Sequence, residues 1–209
     1  MNRILPLLLA AALFGGCALF STTAAAKSHL VDAIQLARQG DLERARAGTD
    51  AALAAEPGFM DAIMVRAAIE EKAKEWSAAE SWYVRALETD PFYVPAGVAM
   101  GLVQVRQERF DEAEKTFLRA TEVAPGFVPA WVNLGMLRLQ RENYPGAVDA
   151  LDHAVRVDPD HGGAQMALSR ARFEAGDREG CIAALREVLR IDPGNDTALG
   201  KLKEFGEEP

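Results

Sequence analysis

The sequence predicts an all-α solenoid of five helix–turn–helix units followed by a short capping helix, and three observations predict it. Pro57, Pro91, Pro125, Pro159 and Pro193 stand 34 residues apart without a slip. Given 10 prolines in 209 residues, the odds of that coincidence are about one in a hundred thousand, so the period marks stacked copies of one supersecondary unit. Small residues recur at fixed places around each proline, as do bulky ones. A final apolar stripe with three-residue steps follows the last proline.

Let the proline be position 32 of units 26–59, 60–93, 94–127, 128–161 and 162–195. Position 8, early in each unit, is small throughout: Ala33, Ala67, Gly101, Gly135 and Ser169. Position 17 is Leu42, Trp76, Phe110, Tyr144 and Arg178, and position 20 is Ala45, Ala79, Ala113, Ala147 and Cys181. Position 24 is Thr49, Tyr83, Phe117, Leu151 and Leu185, and position 27 is Ala52, Ala86, Ala120, Ala154 and Val188. Steps of three and four return to one helix face, so positions 17 to 27 form the buried side of a second helix. The small positions let a first helix approach, and the proline stops the second helix because it lacks an N–H and restricts the residue before it. After Pro193, Leu199, Leu202 and Phe205 place a short helix over Asp196 to Phe205. Such an end piece buries the last apolar face and shows water a polar one, for which Lys201, Lys203 and Glu204 suit the outer side.

Unit four, with Trp131, Leu134, Gly135, Tyr144, Ala147, Leu151, Ala154 and Pro159, resembles the tetratricopeptide repeat. The resemblance covers residues 26–195 and implies a right-handed α-solenoid of five repeats, while saying little of function, which a fold does not fix. Other units depart from the pattern in the first helix. His29, Ile63, Gly97 and Gln165 hold the tryptophan position, and Asp32 and Arg66 stand where leucine is usual, which predicts poorer packing in units one and two.

The resemblance also implies a concave face lined by positions 2, 5, 9, 12 and 13 of the first helices. In units three to five those positions are strongly apolar. Val98, Leu102, Val105, Val132, Met136, Leu139, Met166 and Phe173 would form a continuous patch, with Arg106 and Arg170 beside it. An apolar patch of that extent marks a binding site, here for an apolar or amphipathic protein segment. The alternative is that a tight superhelix buries these side chains among themselves.

The N-terminus has a different composition. Met1-Asn2-Arg3 is a cationic start, Ile4 to Phe14 is an apolar run, and Gly15-Gly16-Cys17 follows. Such a segment is a secretory signal, too short for a comfortable membrane span. Cys17 after two glycines resembles a bacterial lipobox, although Phe14 replaces the usual aliphatic residue. That implies a signal peptide over 1–16, a lipidated Cys17 and a short tether to residue 27, with the repeats over 28–195 and the cap and acidic tail over 196–209. Two or three acyl chains, at about 0.8 kcal/mol per buried CH₂, hold a protein on a bilayer where one does not. Ala18 resembles the sorting pattern for the outer membrane, facing the periplasm. Cleavage near Ala24-Ala25-Ala26 and an uncleaved anchor stay open as alternatives.

Without its first 16 residues the chain keeps 22 Lys+Arg against 31 Asp+Glu, a formal −9, which excludes the basic surface that nucleic acid requires. His29, His153 and His161 share no helix face, no cysteine pair accompanies them, and no phosphate loop or nucleophile elbow is present. Cys181 at a packing position reads as a buried small residue, and Gly97 and Gly101 as close helix packing. No enzyme, cofactor or metal site is expected.

The expected protein is therefore a non-catalytic scaffold held on the bacterial envelope by lipid, binding a protein partner. In layout it resembles lipoproteins that assist pilus pore assembly. A self-assembling homo-oligomer is the alternative, and a regulatory subunit of an enzyme a remoter one. Cys17→Ser is expected to release the chain from the membrane fraction and change its electrophoretic mobility; an unchanged pattern in both assays would refute lipidation.

Overall fold

The computed structural model describes residues 23–208, which are helical apart from short connections. Helix α1 occupies residues 23–39. It is followed by α2 (Leu42–Ala55), α3 (Met60–Lys72), α4 (Trp76–Thr89), α5 (Val94–Arg106), α6 (Phe110–Val123), α7 (Val128–Gln140), α8 (Tyr144–Val157), α9 (Gly162–Glu174), α10 (Arg178–Ile191) and α11 (Asp196–Glu204). The helices divide into two compact units, one ending at Ala96 and the other beginning at Gly97.

Each helix boundary has a local cause. The residue before every repeat proline is extended, with φ between −144° and −133° at Glu56, Asp90, Ala124, Asp158 and Asp192, because the proline ring excludes the helical region there. Inside each hairpin, position 15 is left-handed: Gly40 (φ 88°), Lys74 (62°), Glu108 (60°), Glu142 (59°) and Gly176 (81°). The next amide then closes on the carbonyl five residues back, as in Asp41 N to Leu36 O at 3.0 Å and Asn143 N to Arg138 O at 2.9 Å. This is the Schellman ending of a helix, followed at once by the next N-cap. Asp41, Asn143 and Asp177 cap the second helices by accepting from the amides of Arg44, Gly146 and Gly180. His161 caps α9 through Nδ1, which accepts from Ala164 N at 3.0 Å.

Positions 20, 24 and 27 are buried in every repeat, and in the third and fourth repeats position 24 closes on the glycine at position 8 of the same hairpin. A Cβ added at Gly101 would stand 2.4 Å from the Phe117 ring, and one at Gly135 would stand 2.5 Å from Leu151 Cγ. Both bulky partners are fully buried and have no room to swing aside. Gly97 differs from the expectation: an added Cβ there meets nothing within 4 Å among the described residues, so only Gly101 of the pair is a close-approach glycine.

Three further expectations are corrected. Helix α1 already includes residues 23–27, which had been assigned to the tether, because Ala24-Ala25-Ala26 are strong helix formers and Ala26 is buried. Asp32 is not a packing fault, since it is exposed on the outer face of the first hairpin beside His29 and Arg44. Arg66, placed where leucine is usual, joins a buried ion network instead. Its Nε donates to Glu70 Oε1 at 2.7 Å, its Nη1 pairs with Asp50, and its guanidinium lies 5.1 Å from the Trp82 ring centroid. Arg46 reaches the same Glu70 at 2.7 Å. Burial alone would push the Glu70 carboxyl up, but hydrogen bonds and charge from Arg46 and Arg66 outweigh it and hold the carboxyl below the usual range.

Gly101→Ala is expected to destabilise the chain by about 1–3 kcal/mol through overpacking against Phe117. Gly200→Ala, in α11 with no atom within 4 Å of the added Cβ, is expected to stabilise by about 0.5–1 kcal/mol through helix propensity. Urea unfolding followed by circular dichroism compares the two; equal effects would refute the packing assignment.

Candidate functional site

In the unit beginning at Gly97, α7 touches both α8 and α9, so first helices lie side by side along one face. Two hollows open on this face. One of about 300 Å³ is lined by Leu102, Val105, Met136, Leu139 and Arg170 among others, and one of about 500 Å³ by Met136, Met166, Arg170 and Phe173 among others. The structure thus brings seven of the ten residues assigned to the partner groove to two hollows that share Met136 and Arg170.

Exposure sorts these residues. Leu102 is 37% exposed, Met136 43% and Phe173 49%, while Val105, Val132 and Met166 are half-buried and Arg106 and Arg170 exposed. Two assignments to the exposed patch are corrected. Val98 and Leu139 are buried. Val98 is buried while Val132, the same residue at the same repeat position, is half-buried, so the neighbours and not the side chain itself decide its exposure. Leu139 is wedged into the core cluster of Leu151, Ala167 and Ala171, and forms a floor rather than a rim. Val132 and Arg106 border neither hollow. Cys17 lies outside the described residues.

The larger hollow has a wall that counting first-helix positions missed. Thr197 and Lys201 of α11 line it, and Cys181 and Leu185 of α10 are also among its lining residues. Lys201, expected on the outer side of the cap, instead places Nζ 6.0 Å from the Phe173 ring centroid. Phe173 also packs on Phe205, with centroids 5.7 Å apart, and Arg178 stands 5.3 Å from the Phe205 centroid. The apolar spacing of α11 shows which side it buries but gives no sign that its cationic residue reaches a ring on α9.

The arginines of α7 and α9 are unevenly satisfied. On α9, Arg172 donates to Asp152 Oδ1 at 2.8 Å and to the Gly180 carbonyl at 3.2 Å. On α7, Arg138 donates to Glu114 Oε1 at 2.8 Å. Arg170 turns to the hollows and has no carboxylate partner among the described residues.

In the unit ending at Ala96, Ile34, Ala37, Arg38, Ala68 and Lys72, all at family groove positions, meet around a shallower hollow of about 250 Å³. There the Lys72 ammonium donates to the Ala37 carbonyl near the end of α1. A hollow of about 510 Å³ on the outer face of the first hairpin is polar, with His29, Asp32, Gln35, Gln39 and Arg44 on its lining. Among the described residues no cluster of His, Cys, Asp or Glu is arranged to hold a metal ion.

Hairpins of one length, a small residue at position 8 in each, and a proline after every second helix define a helical-repeat interaction protein. A tetratricopeptide repeat model matches residues 32–94, 98–154 and 132–196, and the chain belongs to that family. Proteins of the family bind other proteins and are characteristically non-catalytic.

Solved structures share the fold. YrrB, described as a TPR protein with an unusual peptide-binding site, is 22% identical with a TM-score of 0.64, over 84% of this chain and 90% of that one. PilF of Pseudomonas aeruginosa is 18% identical with a TM-score of 0.74, over 90% and 87%. MamA of Desulfovibrio magneticus RS-1 is 17% identical with a TM-score of 0.67, over 82% and 97%. No curated protein matches the sequence significantly.

Burial pushes the Cys181 thiol up, the largest influence on it, so it is a packing atom under the hollow rather than a nucleophile. In a Cys17→Ser background, Cys181 is expected to react with a disulfide reagent at pH 8 at least about tenfold more slowly in the folded chain than in urea. Equal rates would show an open thiol.

Proposed function

We propose that this protein is a non-catalytic scaffold, tethered to the bacterial envelope by a lipid on Cys17, that captures an apolar or amphipathic segment of a protein partner. The capture face is that of α5, α7 and α9. The observation that carries the reading is the exposure of Leu102, Met136 and Phe173 around two adjoining hollows on one helix face. Scattered exposed apolar residues are ordinary, but large ones gathered around concavities mark interaction sites. Side chains of this size contribute about 1.5–3 kcal/mol each when fully buried, so three or four suffice for micromolar binding after the cost of association.

The anchor supports a function close to the membrane. Residues 18–22 lie between Cys17 and the described helix α1, and five residues reach at most about 18 Å. The envelope location rests on the signal-like segment and the Gly15-Gly16-Cys17 sequence. Assembly of an envelope complex, with the scaffold presenting one subunit at the outer membrane, fits both features. End-to-end self-assembly is less well supported, because the outer face of the first hairpin is polar and α11 presents Lys203 and Glu204 to water.

Leu102→Glu with Met136→Glu is expected to abolish in-cell crosslinking of a partner from a photoreactive residue at Val105. The helical melt should change by no more than about 0.5 kcal/mol per site, as for surface positions. Loss of the fold would assign both residues to the core, and an undiminished adduct would move the partner elsewhere.

A further inference from the structure

We propose that Arg170 is an acid-reading anchor, and that the segment captured on the α5–α7–α9 face carries a carboxylate flanked by apolar side chains. This deepens the capture reading above and rests on it. Leu102, Met136 and Arg170 hold the same register position in three successive repeats, each 34 residues after the last. Packed helices lie about 8–10 Å apart, so the three side chains form a row about 20 Å long. The row runs through both hollows, since Leu102 and Met136 line the smaller and Met136 and Arg170 the larger.

The row changes character along its length, from leucine to methionine to arginine. Among the described residues, Arg170 is the only charged one lining the smaller hollow. The larger adds Lys201 and Glu174. Lys201 pairs with Glu204 at 3.4 Å on the cap and lies against Phe173. Glu174, one turn beyond Arg170 on α9, makes no ion pair with it among the described residues.

An apolar segment laid along the row would strip water from the Arg170 guanidinium. Burying that charge unpaired is strongly unfavourable, so a segment without an acid is selected against. A carboxylate answers it with two parallel hydrogen bonds, the geometry to which guanidinium is suited. Two helical turns rise about 11 Å, so a helical segment would meet Leu102, Met136 and Arg170 at two-turn intervals, apolar, apolar and acidic.

Panning a phage library of random 15-residue peptides on the full-length chain in detergent tests the anchor, with Arg170→Glu and Leu102→Glu/Met136→Glu chains in parallel. The wild-type chain is expected to enrich peptides with Asp or Glu among Leu, Met and Phe. Synthetic copies should bind at least about tenfold more tightly than their Glu→Gln versions, as expected for a charge-assisted bidentate pair. Arg170→Glu should lose that preference and favour Glu→Lys versions. If enriched peptides are apolar without an acid and bind both proteins equally, the anchor is wrong while the capture face stands. Enrichment that survives Leu102→Glu/Met136→Glu, or no enrichment on the wild-type chain, overturns both.

Discussion

The contact on which the rest depends is the close approach of the two helices of a hairpin, which in the third and fourth repeats sets a glycine of the first helix against a bulky residue of the second. Gly101 against Phe117 and Gly135 against Leu151 show it at its tightest, with no space for a single added carbon. Because the bulky partner is fully buried, the distance between the two helices has one value. That distance turns positions 20, 24 and 27 inward and leaves position 9 of the first helix exposed in the second to fifth repeats. An exposed face open to variation is thus a by-product of hairpin closure. Evolution can change the exposed residues without touching the contact that holds the hairpin shut.

Stacking of one hairpin on the next uses a different device. Arg46 pairs with Glu70 in one unit, and Glu114 pairs with Arg138 in the other. Both pairs join residues 24 apart, at the same two repeat positions, with opposite polarity. Hairpins that share a shape could stack in a wrong order at little cost in packing. Charge reversal penalises that error, since the fourth unit stacked on the first would set Arg138 against Arg46. Ion pairs that are largely buried add little net stability, but an unmatched one costs several kcal/mol, so such pairs act on specificity.

The period of the prolines made the hairpins, their order and most core positions legible. Features that vary between copies were not. The left-handed residue that ends each first helix is glycine only at Gly40 and Gly176, and Lys74, Glu108 and Glu142 adopt it at the usual steric cost of a side chain there. Composition therefore hides a conformation that all five hairpins share. Arg66 looked like a missing leucine because sequence shows a polar residue at a core position but not the Glu70 that answers it. On the capture face, periodicity identified Leu102, Met136 and Phe173 as a set with Val98 and Leu139. It could not separate them, because exposure depends on neighbours from other repeats. Lys201 was misplaced for a related reason: it belongs to a helix outside the repeat, where no register applies.

The distribution of polarity bears on the proposed choice of lateral capture over stacking. A repeat array has two ends, where the next copy would add, and among the described residues both carry polar side chains. Asp32, His29 and Arg44 stand on the outer face of the first hairpin, in place of the apolar residues that bury themselves between hairpins elsewhere. At the other end α11 buries Ala198 and Leu202 and turns Lys203 and Glu204 to water. Terminal repeats with a polar outer face are how solenoids stay soluble and finite. Large apolar side chains grouped around a concavity lie away from both of these polar surfaces. Leu102, Met136 and Phe173 are such a group, and Arg170 among them sets a chemical condition on whatever covers it.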